Sequence, residues 1–280
     1  MDMNLKKILK SIINKKLYLL LSNYLYKSFS PFKIRSLIYP QSQYSDFFIY
    51  ATNFHKIEFI AENIHAIYEG KKFLLRHIFR FYDGDGTLLR KFIFEDDDFF
   101  SNIELPKINT KHRYISFSHE TKVINQNLLN KEFKKLIKKR IIGIQHRGYT
   151  IYKENESSLG SLVHGNFGGL YPCKIKNSAA IQRNRFFKYT PAFLFNHLDK
   201  YHFVFNNPTE KELSIEMELF DKSNKLIKNS TINLNPYGSN FFEIKNTSGK
   251  VSFKSKLPIT RPLIFKNPYE NSFNFDVFHS

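Results

Sequence analysis

From about residue 40 onward, short runs of alternating apolar and polar residues recur between turn-forming residues. The run Ile57-Glu58-Phe59-Ile60 has the period of two that is typical of a strand with one buried face, and residues 73–82 and 88–94 continue in the same way. Between the last two lies Asp83-Gly84-Asp85-Gly86, and Asp-Gly pairs supply the positive φ of tight hairpins. Short strands with turns every 8–12 residues or so predict an antiparallel sandwich or barrel rather than a parallel βαβ sheet. Further strands are expected at residues 47–50, 114–117, 149–152, 203–205, 213–220, 226–234, 241–244, 251–253 and 263–265.

Two parts of the chain match each other at a constant offset. Residues 79–90 align with residues 217–228 at an offset of 138, so that Asp83 meets Asp221, Arg90 meets Lys228 and the apolar positions agree in kind. Shorter matches pair Ser101-Asn102 with Ser239-Asn240 at the same offset and residues 115–117 with 251–253 at offset 136. The fold class predicted is therefore mainly β, with two antiparallel β-sandwich units related by internal duplication.

Helical spacing of apolar residues appears in two other places and divides the chain further. An amphipathic basic helix is predicted within residues 1–38 and a basic connecting helix over residues 125–142, so the two sandwich units would occupy residues 40–124 and 143–280. The connecting helix carries a basic surface formed by Lys134, Lys135, Lys138, Lys139 and Arg140. Such a face is either solvated or a site for a polyanion. The N-terminal helix either docks on the body, lies on an anionic membrane surface, or is a degenerate export signal.

Charge and composition limit the classes of function. The chain has 43 Lys and Arg against 25 Asp and Glu, a formal net charge of 43 − 25 = +18. Abundant Lys, Asn, Ile and Phe are also what an AT-rich coding sequence produces, so the charge alone does not predict specific nucleic-acid binding. The single cysteine, Cys173, excludes an intramolecular disulfide, and we expect a cytoplasmic protein, peripheral to a membrane if the N-terminal helix binds one.

The most unusual segment is rich in glycine. Four of the 11 glycines fall within residues 160–169, and glycine permits a ligand to approach the backbone closely. The segment has neither the Gly-Lys-Ser/Thr of a P-loop nor the first glycine of a dinucleotide fingerprint. It is either a loop with glycine turns or a ligand loop. In the second case the ligand-binding residues would be His164, Asn166, Tyr171, Arg183 and Arg185, which supply an imidazole, donors and guanidinium groups.

Motifs of metal sites and of nucleophilic catalysis are missing from the sequence. His197 and His202 are not in a His-Glu-x-x-His arrangement, and Gly86 arrives too early for a calcium loop. Nothing visible activates Cys173, and Ser161 is not in a Gly-x-Ser-x-Gly elbow. We therefore expect no metal, no cofactor and no catalytic residues.

The second half also resembles a known family. Its order is His202-Phe-Val-Phe-Asn206-Asn207-Pro208, an alternating strand, a turn at Asp221, a strand ending at Pro236, and residues 251–259. Residues 200–280 are in this respect similar to the small β-sandwich of the sensory rhodopsin transducer family. The resemblance implies a sandwich and a carbohydrate-like ligand, and it carries over no functional residue.

Three functional hypotheses follow. The first is a non-catalytic protein that binds a carbohydrate, a sugar phosphate or a nucleotide-sugar-like ligand. The second is a basic protein associated with a membrane surface or with nucleic acid. The third is an enzyme that uses His164 in the glycine-rich loop, which would need a deep pocket and a second titratable group beside that histidine. The oligomeric state is left open.

Overall fold

The computed structural model describes residues 43–125, 148–156, 160–164, 186–207, 212–259, 261–270 and 274–279. In these ranges the chain is mainly β, and all strand pairs are antiparallel, as predicted. The helix predicted within residues 1–38, and all but the first residue of the one predicted over 125–142, lie outside the described residues. One short helix that the sequence pattern did not predict, α1 (Ile64–Glu69), follows an Asn63 cap.

The strands of the first half form two four-stranded sheets. They are β1 (Gln43–Ala51), β2 (Lys56–Glu62), β3 (Leu75–Tyr82), β4 (Leu88–Asp96), β5 (Phe100–Glu104), β6 (Tyr114–Val123), β7 (Gly148–Lys153) and β8 (Ser161–His164). One sheet has the order β1-β6-β3-β4 and the other has the order β5-β2-β7-β8.

The second half repeats this arrangement. Its strands are β9 (Phe186–Tyr189), β10 (Tyr201–Asn206), β11 (Leu213–Phe220), β12 (Leu226–Leu234), β13 (Ser239–Ile244), β14 (Lys250–Ile259), β15 (Leu263–Lys266) and β16 (Asp276–Phe278). The orders are β9-β14-β11-β12 and β13-β10-β15-β16, so every strand has the same neighbours as its counterpart eight positions earlier.

The hairpins β3–β4 and β11–β12 agree in detail. Asp83 N–H donates to Thr87 O and Gly86 N–H to Asp83 O; 138 residues later, Asp221 N–H donates to Lys225 O and Asn224 N–H to Asp221 O. The register shift at the turn end of each hairpin also falls at matching positions, between Phe81 and Tyr82 and between Leu219 and Phe220. Asp83 and Asp221 therefore begin equivalent turns, as the offset predicts.

The two shorter sequence matches are not equivalent in the structure. In the first half Phe117 pairs with Phe81, whose counterpart in the matched hairpin is Leu219. In the second half, however, Phe253 pairs with Met217. Residues 115–117 and 251–253 therefore lie two residues apart along their equivalent strands. Ser101 lies opposite Ala61, on the face of its sheet that contacts the apolar cluster of the first half. Ser239 lies on the other face of its own sheet, where its hydroxyl donates to Tyr114 O of the first half. Short identical pairs are easily matched by chance in strands of similar composition.

Strand pairing also divides the chain differently from the predicted boundary at residue 143. β7 pairs with β2, and β8 pairs with β7, so these two strands complete a sheet of the first half rather than begin the second unit. The alternation of apolar and polar residues shows which face of a strand is buried, but it does not identify the neighbouring strand. For this reason the sequence pattern assigned β7 to the second unit, although β7 pairs with β2 of the first.

Each half encloses its own apolar cluster. Phe59 of β2 packs with Phe48, Phe79 and Phe117 of the facing sheet, and Phe205 of β10 packs with Phe253 of β14. The side chains predicted to point inward in residues 200–280 are all buried in the second cluster: Phe203, Phe205, Ile215, Leu219 and Phe253.

β10 is buried on both faces, and this joins the two halves. Its odd-numbered residues face β11 and β14, while Val204 belongs to the first cluster, together with Phe265 and Val277 of the neighbouring strands. Near one end of this interface the 83–86 turn approaches the loop before β13 so closely that a Cβ on Gly86 would lie 1.9 Å from Pro236 O. Gly86 has φ +90°, so glycine is required there for both conformation and space.

Candidate functional site

An open groove of about 450 Å³ lies at one end of the second half. Three aromatic residues line it, Phe193, Tyr201 and Phe278, together with Ala192, Lys266 and Asp276. Its volume falls in the range of about 300–1,000 Å³ that is common for small-molecule sites, and its mixture of rings and a few charged groups is the usual lining of such sites.

Strand register brings these residues together from distant parts of the sequence. Tyr201 of β10 lies opposite Lys266 of β15, and Lys266 lies opposite Asp276 of β16, so their side chains form one row on one face of the sheet. In the next row on that face are Phe203, Ile264 and Phe278. The first two are fully buried core residues, whereas Phe278 is only half-buried. The groove is thus the place where the apolar core ends and a polar row begins.

Phe193 closes the groove from the segment before β10. Its ring centroid lies 5.8 Å from that of Tyr201 and 5.4 Å from that of Phe278, the latter in an edge-to-face arrangement. Pro191 and Phe195 of the same segment are buried, and Phe195 forms a β-bridge with Gly249 that fixes the backbone. The rings are therefore held in place before a ligand arrives.

The polar groups beside the rings are ordered by hydrogen bonds. The Asp199 carboxylate accepts hydrogen bonds from the Tyr201 hydroxyl (3.2 Å) and the Asn267 amide (2.9 Å), and it pairs with Lys266 Nζ at 3.3 Å. Burial raises the pKa of Asp199, but the hydrogen bonds from Asn267 and Lys266 outweigh it and leave that pKa below its ordinary value. Asp199 is therefore an ionised anchor for Tyr201 and Lys266.

Asp276 is held by the first half of the chain. Its Oδ1 accepts a hydrogen bond from the Ser161 hydroxyl of β8 (3.0 Å) and one from the Val277 backbone N–H (2.7 Å). The residue is nevertheless exposed to solvent. A carboxylate can accept about four hydrogen bonds, so Asp276 has acceptor capacity for a ligand.

Of the ligand-binding residues predicted from the sequence, the structure describes His164 alone. It ends β8, and its carbonyl oxygen lies 3.0 Å from Nε2 of His279, whose ring centroid is 5.0 Å away. Asn166, Tyr171, Arg183 and Arg185 lie outside the described residues, as do the basic residues Lys134, Lys135, Lys138, Lys139 and Arg140. These remain predictions.

Among the described residues, His164 borders a small cavity. The cavity has a volume of about 10 Å³ and is also lined by Thr150, Tyr152 and His279. That volume holds about one water molecule and no substrate. Burial is the main cause that lowers the pKa of His279 to about 4, so this imidazole is neutral at physiological pH.

A second group of titratable residues lies between the two halves. His202 Nδ1 is 2.7 Å from the Tyr114 hydroxyl, and His202 Nε2 is 3.0 Å from Glu243 Oε2. This order of hydroxyl, imidazole and carboxylate resembles a catalytic triad, but Tyr114 and His202 are buried, and burial raises the pKa of Tyr114. Because the Tyr114 hydroxyl is buried and keeps its proton, it cannot act as a nucleophile on a substrate. The three hydrogen-bonded side chains connect the two halves instead.

A metal-binding cluster and a membrane-spanning helix are both absent from the part of the chain that the structure describes. Within the described ranges, no three His, Cys, Asp or Glu side chains are grouped so that they could hold a metal ion. Within them, too, no helix has the length and apolar character needed to cross a membrane.

The groove residues were not identified from the sequence. Tyr201, Lys266 and Asp276 are ordinary strand residues when considered singly, and 65 residues separate the first two. The available signal was the alternation of Asp276-Val277-Phe278, which places a carboxylate and a ring on one face of a terminal strand.

Comparisons with known proteins add little to this geometry. No family model matches the chain, and no curated protein matches it. Among solved structures it is similar to vicilin from Capsicum annuum, with 12% sequence identity over 86% of this chain and 76% of that chain and a TM-score of 0.19. A likeness at this TM-score carries no argument about fold or function. The resemblance of residues 200–280 to the sensory rhodopsin transducer family stays a prediction.

Proposed function

We propose that this chain is a non-catalytic binding protein that takes a carbohydrate or a sugar phosphate in the groove lined by Phe193, Tyr201 and Phe278. The observation that carries the proposal is the row Tyr201–Lys266–Asp276 beside two half-buried rings. Sugar rings offer an apolar C–H face and a rim of hydroxyl groups. An aromatic wall next to a carboxylate and an ammonium group complements both.

Each polar residue has a separate role in this proposal. The exposed Asp276 carboxylate accepts hydrogen bonds from sugar hydroxyls, and Lys266 donates to a ring oxygen, a hydroxyl or a phosphate. Asp199 keeps the Lys266 ammonium at the rim, at 3.3 Å from its own Oδ2. Because this carboxylate neutralises part of the lysine charge, neutral sugars and sugar phosphates are both candidate ligands.

We also infer that the two halves arose by duplication and that, among the described residues, the row beside the groove is open in the second half and closed in the first. Matching sheet orders and matching hairpins support the duplication. The corresponding row of the first half is Ile57, Tyr152 and Ser161. Ile57 and Tyr152 are buried, and the ring of Tyr152 packs edge-on against Phe265 of the second half. One ligand per chain is therefore expected.

The test is a glycan and sugar-phosphate screen followed by calorimetric titration of the best ligand. We expect Phe278→Ala and Asp276→Asn each to weaken binding about tenfold or more, because each removes one main contact (about 1.4 kcal/mol is tenfold). Lys266→Met should matter most for a phosphorylated ligand. Lys228→Met, on the exposed face of β12, is the matched control and should leave binding unchanged.

Two results would contradict the proposal. One is a screen in which no saccharide or sugar phosphate binds. The other is a saccharide that binds equally well to the wild type, Phe278→Ala and Asp276→Asn, because its site would then lie elsewhere on the chain.

A further inference from the structure

A seven-residue segment of strand β4 has charges arranged symmetrically about Ile93. From Arg90 to Asp96 it reads Arg-Lys-Phe-Ile-Phe-Glu-Asp. Two basic residues precede Phe-Ile-Phe, and two acidic residues follow it at the same distances from Ile93. A strand with this pattern is complementary to an antiparallel copy of itself.

β4 is also at the edge of its sheet. In the order β1-β6-β3-β4 its one hydrogen-bonded neighbour among the described strands is β3. Ile93 is 47% exposed, and Phe92 and Phe94 are half-buried. Within the part of the chain that the structure describes, the outer edge of this nine-residue strand, which contains no Pro or Gly, presents a row of unpaired backbone groups, and such a row is a template for another strand.

The charge environment of Lys91 points in the same direction. In the β3–β4 pair, Lys91 lies directly opposite Arg80, which has the same charge. The neighbouring strand therefore does not offer Lys91 an oppositely charged cross-strand partner at this position. Arg80 is itself paired with Glu120 at 2.6 Å. The side of Lys91 that faces away from β3 is where a carboxylate from a second strand can lie.

We propose that two copies of this chain associate through their β4 strands, paired antiparallel about a two-fold axis at Ile93. In this register Lys91 lies opposite Glu95 of the partner, Arg90 lies opposite Asp96 of the partner, and both pairs occur twice. Phe92 lies opposite Phe94 of the partner, and the two Ile93 side chains meet at the axis. The two four-stranded sheets then form one continuous eight-stranded sheet across the dimer.

The charges on β4 are not the usual device that keeps an edge strand apart. That device uses charge of one sign, commonly lysine, which repels a second copy. Here the signs are opposite and equidistant from the centre, so antiparallel pairing brings unlike charges together. Parallel pairing in register would bring like charges together and is disfavoured.

The equivalent edge strand β12 supplies an internal comparison. At an offset of 138, its residues 228–234 are Lys-Asn-Ser-Thr-Ile-Asn-Leu, which contain no acidic residue. It is equally at the edge of its sheet. Since β12 lacks the symmetric charge pattern, we expect self-association through β4 alone and a closed dimer rather than a growing fibre.

Sedimentation velocity of the full chain, from about 5 to about 200 μM, tests the proposal. We expect a dimer whose dissociation constant rises with salt, because the rim of the interface consists of exposed ion pairs. Lys91→Glu and Glu95→Lys should each weaken association about tenfold or more, since each turns two attractive cross-strand pairs into repulsive ones. The double variant Lys91→Glu/Glu95→Lys restores opposite charges between the two copies and should dimerise more tightly than either single variant, although it still lacks the ion pair that Glu95 makes with Arg76 of its own chain. Asn229→Glu, at the position in β12 that matches Lys91, should change nothing.

A cross-link tests the register without altering any charge. In a Cys173→Ser background, Ile93→Cys places two thiols at the proposed axis, within the range of opposed residues in a sheet. Mild oxidation should then give a covalent dimer, whereas Thr231→Cys in β12 should not. A wild type that stays monomeric over the whole concentration range would overturn the proposal. So would a dimer that is equally stable in both single variants and the double variant.

Discussion

Acidification should destabilise the folded chain through His202, the imidazole buried between its two halves. Burial is the main cause that lowers the pKa of His202 from an ordinary 6.5 to about 4. The hydrogen bond to Glu243 opposes this effect, and the nearby positive charges of Lys200 and Arg113 add to it. The folded state therefore holds this side chain neutral over a range of pH in which the unfolded chain takes up a proton.

The sign and the size of the effect follow from this difference. Because the unfolded state binds the proton first as the pH falls, the stabilisation is complete above pH 6.5 or so and is lost between there and pH 4 or so. A tenfold change in proton affinity is worth about 1.4 kcal/mol, so His202 accounts for about 3 kcal/mol in total and about 2–3 kcal/mol at pH 4.5. The side chain is fully buried, so solvent screens this effect little.

The measurement is urea unfolding at pH 7.5 and pH 4.5 for the wild type, His202→Gln and His197→Gln. Glutamine keeps a neutral hydrogen-bonding group beside Tyr114 but does not titrate. The free energy of unfolding of the wild type should therefore fall by about 2–3 kcal/mol more than that of His202→Gln between the two pH values. His197 is exposed, and its variant should follow the wild type. Equal losses in the wild type and His202→Gln would refute the reasoning.

Two further predictions concern the contact between the halves. Gly86→Ala should cost about 2–4 kcal/mol in urea unfolding because its Cβ would overlap Pro236 O. Gly70→Ala, which has a similar positive φ but open space around it, should cost only about 1–2 kcal/mol, and equal costs would contradict the close contact. Phe265→Ala removes a fully buried ring that packs on Tyr114 and should cost about 3–5 kcal/mol. A loss below about 1 kcal/mol would mean that the halves do not share this packing.

The strands were predictable because each carries its own signal. Leu213–Phe220 alternates strictly between buried and less buried residues, and its sequence shows that alternation directly. β10 is different: all six of its residues are buried, since one face packs on its own half and the other on the first half. Its near-continuous apolar sequence marks a strand, but it does not reveal what covers the second face.

The groove was not predictable, for a reason that lies in the register. Tyr201 and Asp276 become neighbours only because β15 lies between them and places Lys266 opposite both. A pairing shifted by one residue would turn each of these side chains to the other face of the sheet. Sequence reasoning favoured His164 because glycines cluster beside it. Local composition is visible in a sequence, whereas convergence of distant strands is not.

The two halves differ most at their turns and edge strands, where one half contacts the other or is exposed to solvent. In the first half the hairpin turn contains Gly86, which lies against the loop before β13, whereas the matching turn position of the second half is Asn224. A Cβ at Gly86 would overlap Pro236 O, so this contact requires glycine, and the second half lacks glycine at the matching position. By the same logic, the charge symmetry of β4 and the open row beside Phe278 each occur in one half only. The two halves of a duplicated fold can acquire different contact surfaces in this way, because the strands that form the two cores are kept while edge strands and turns are free to change.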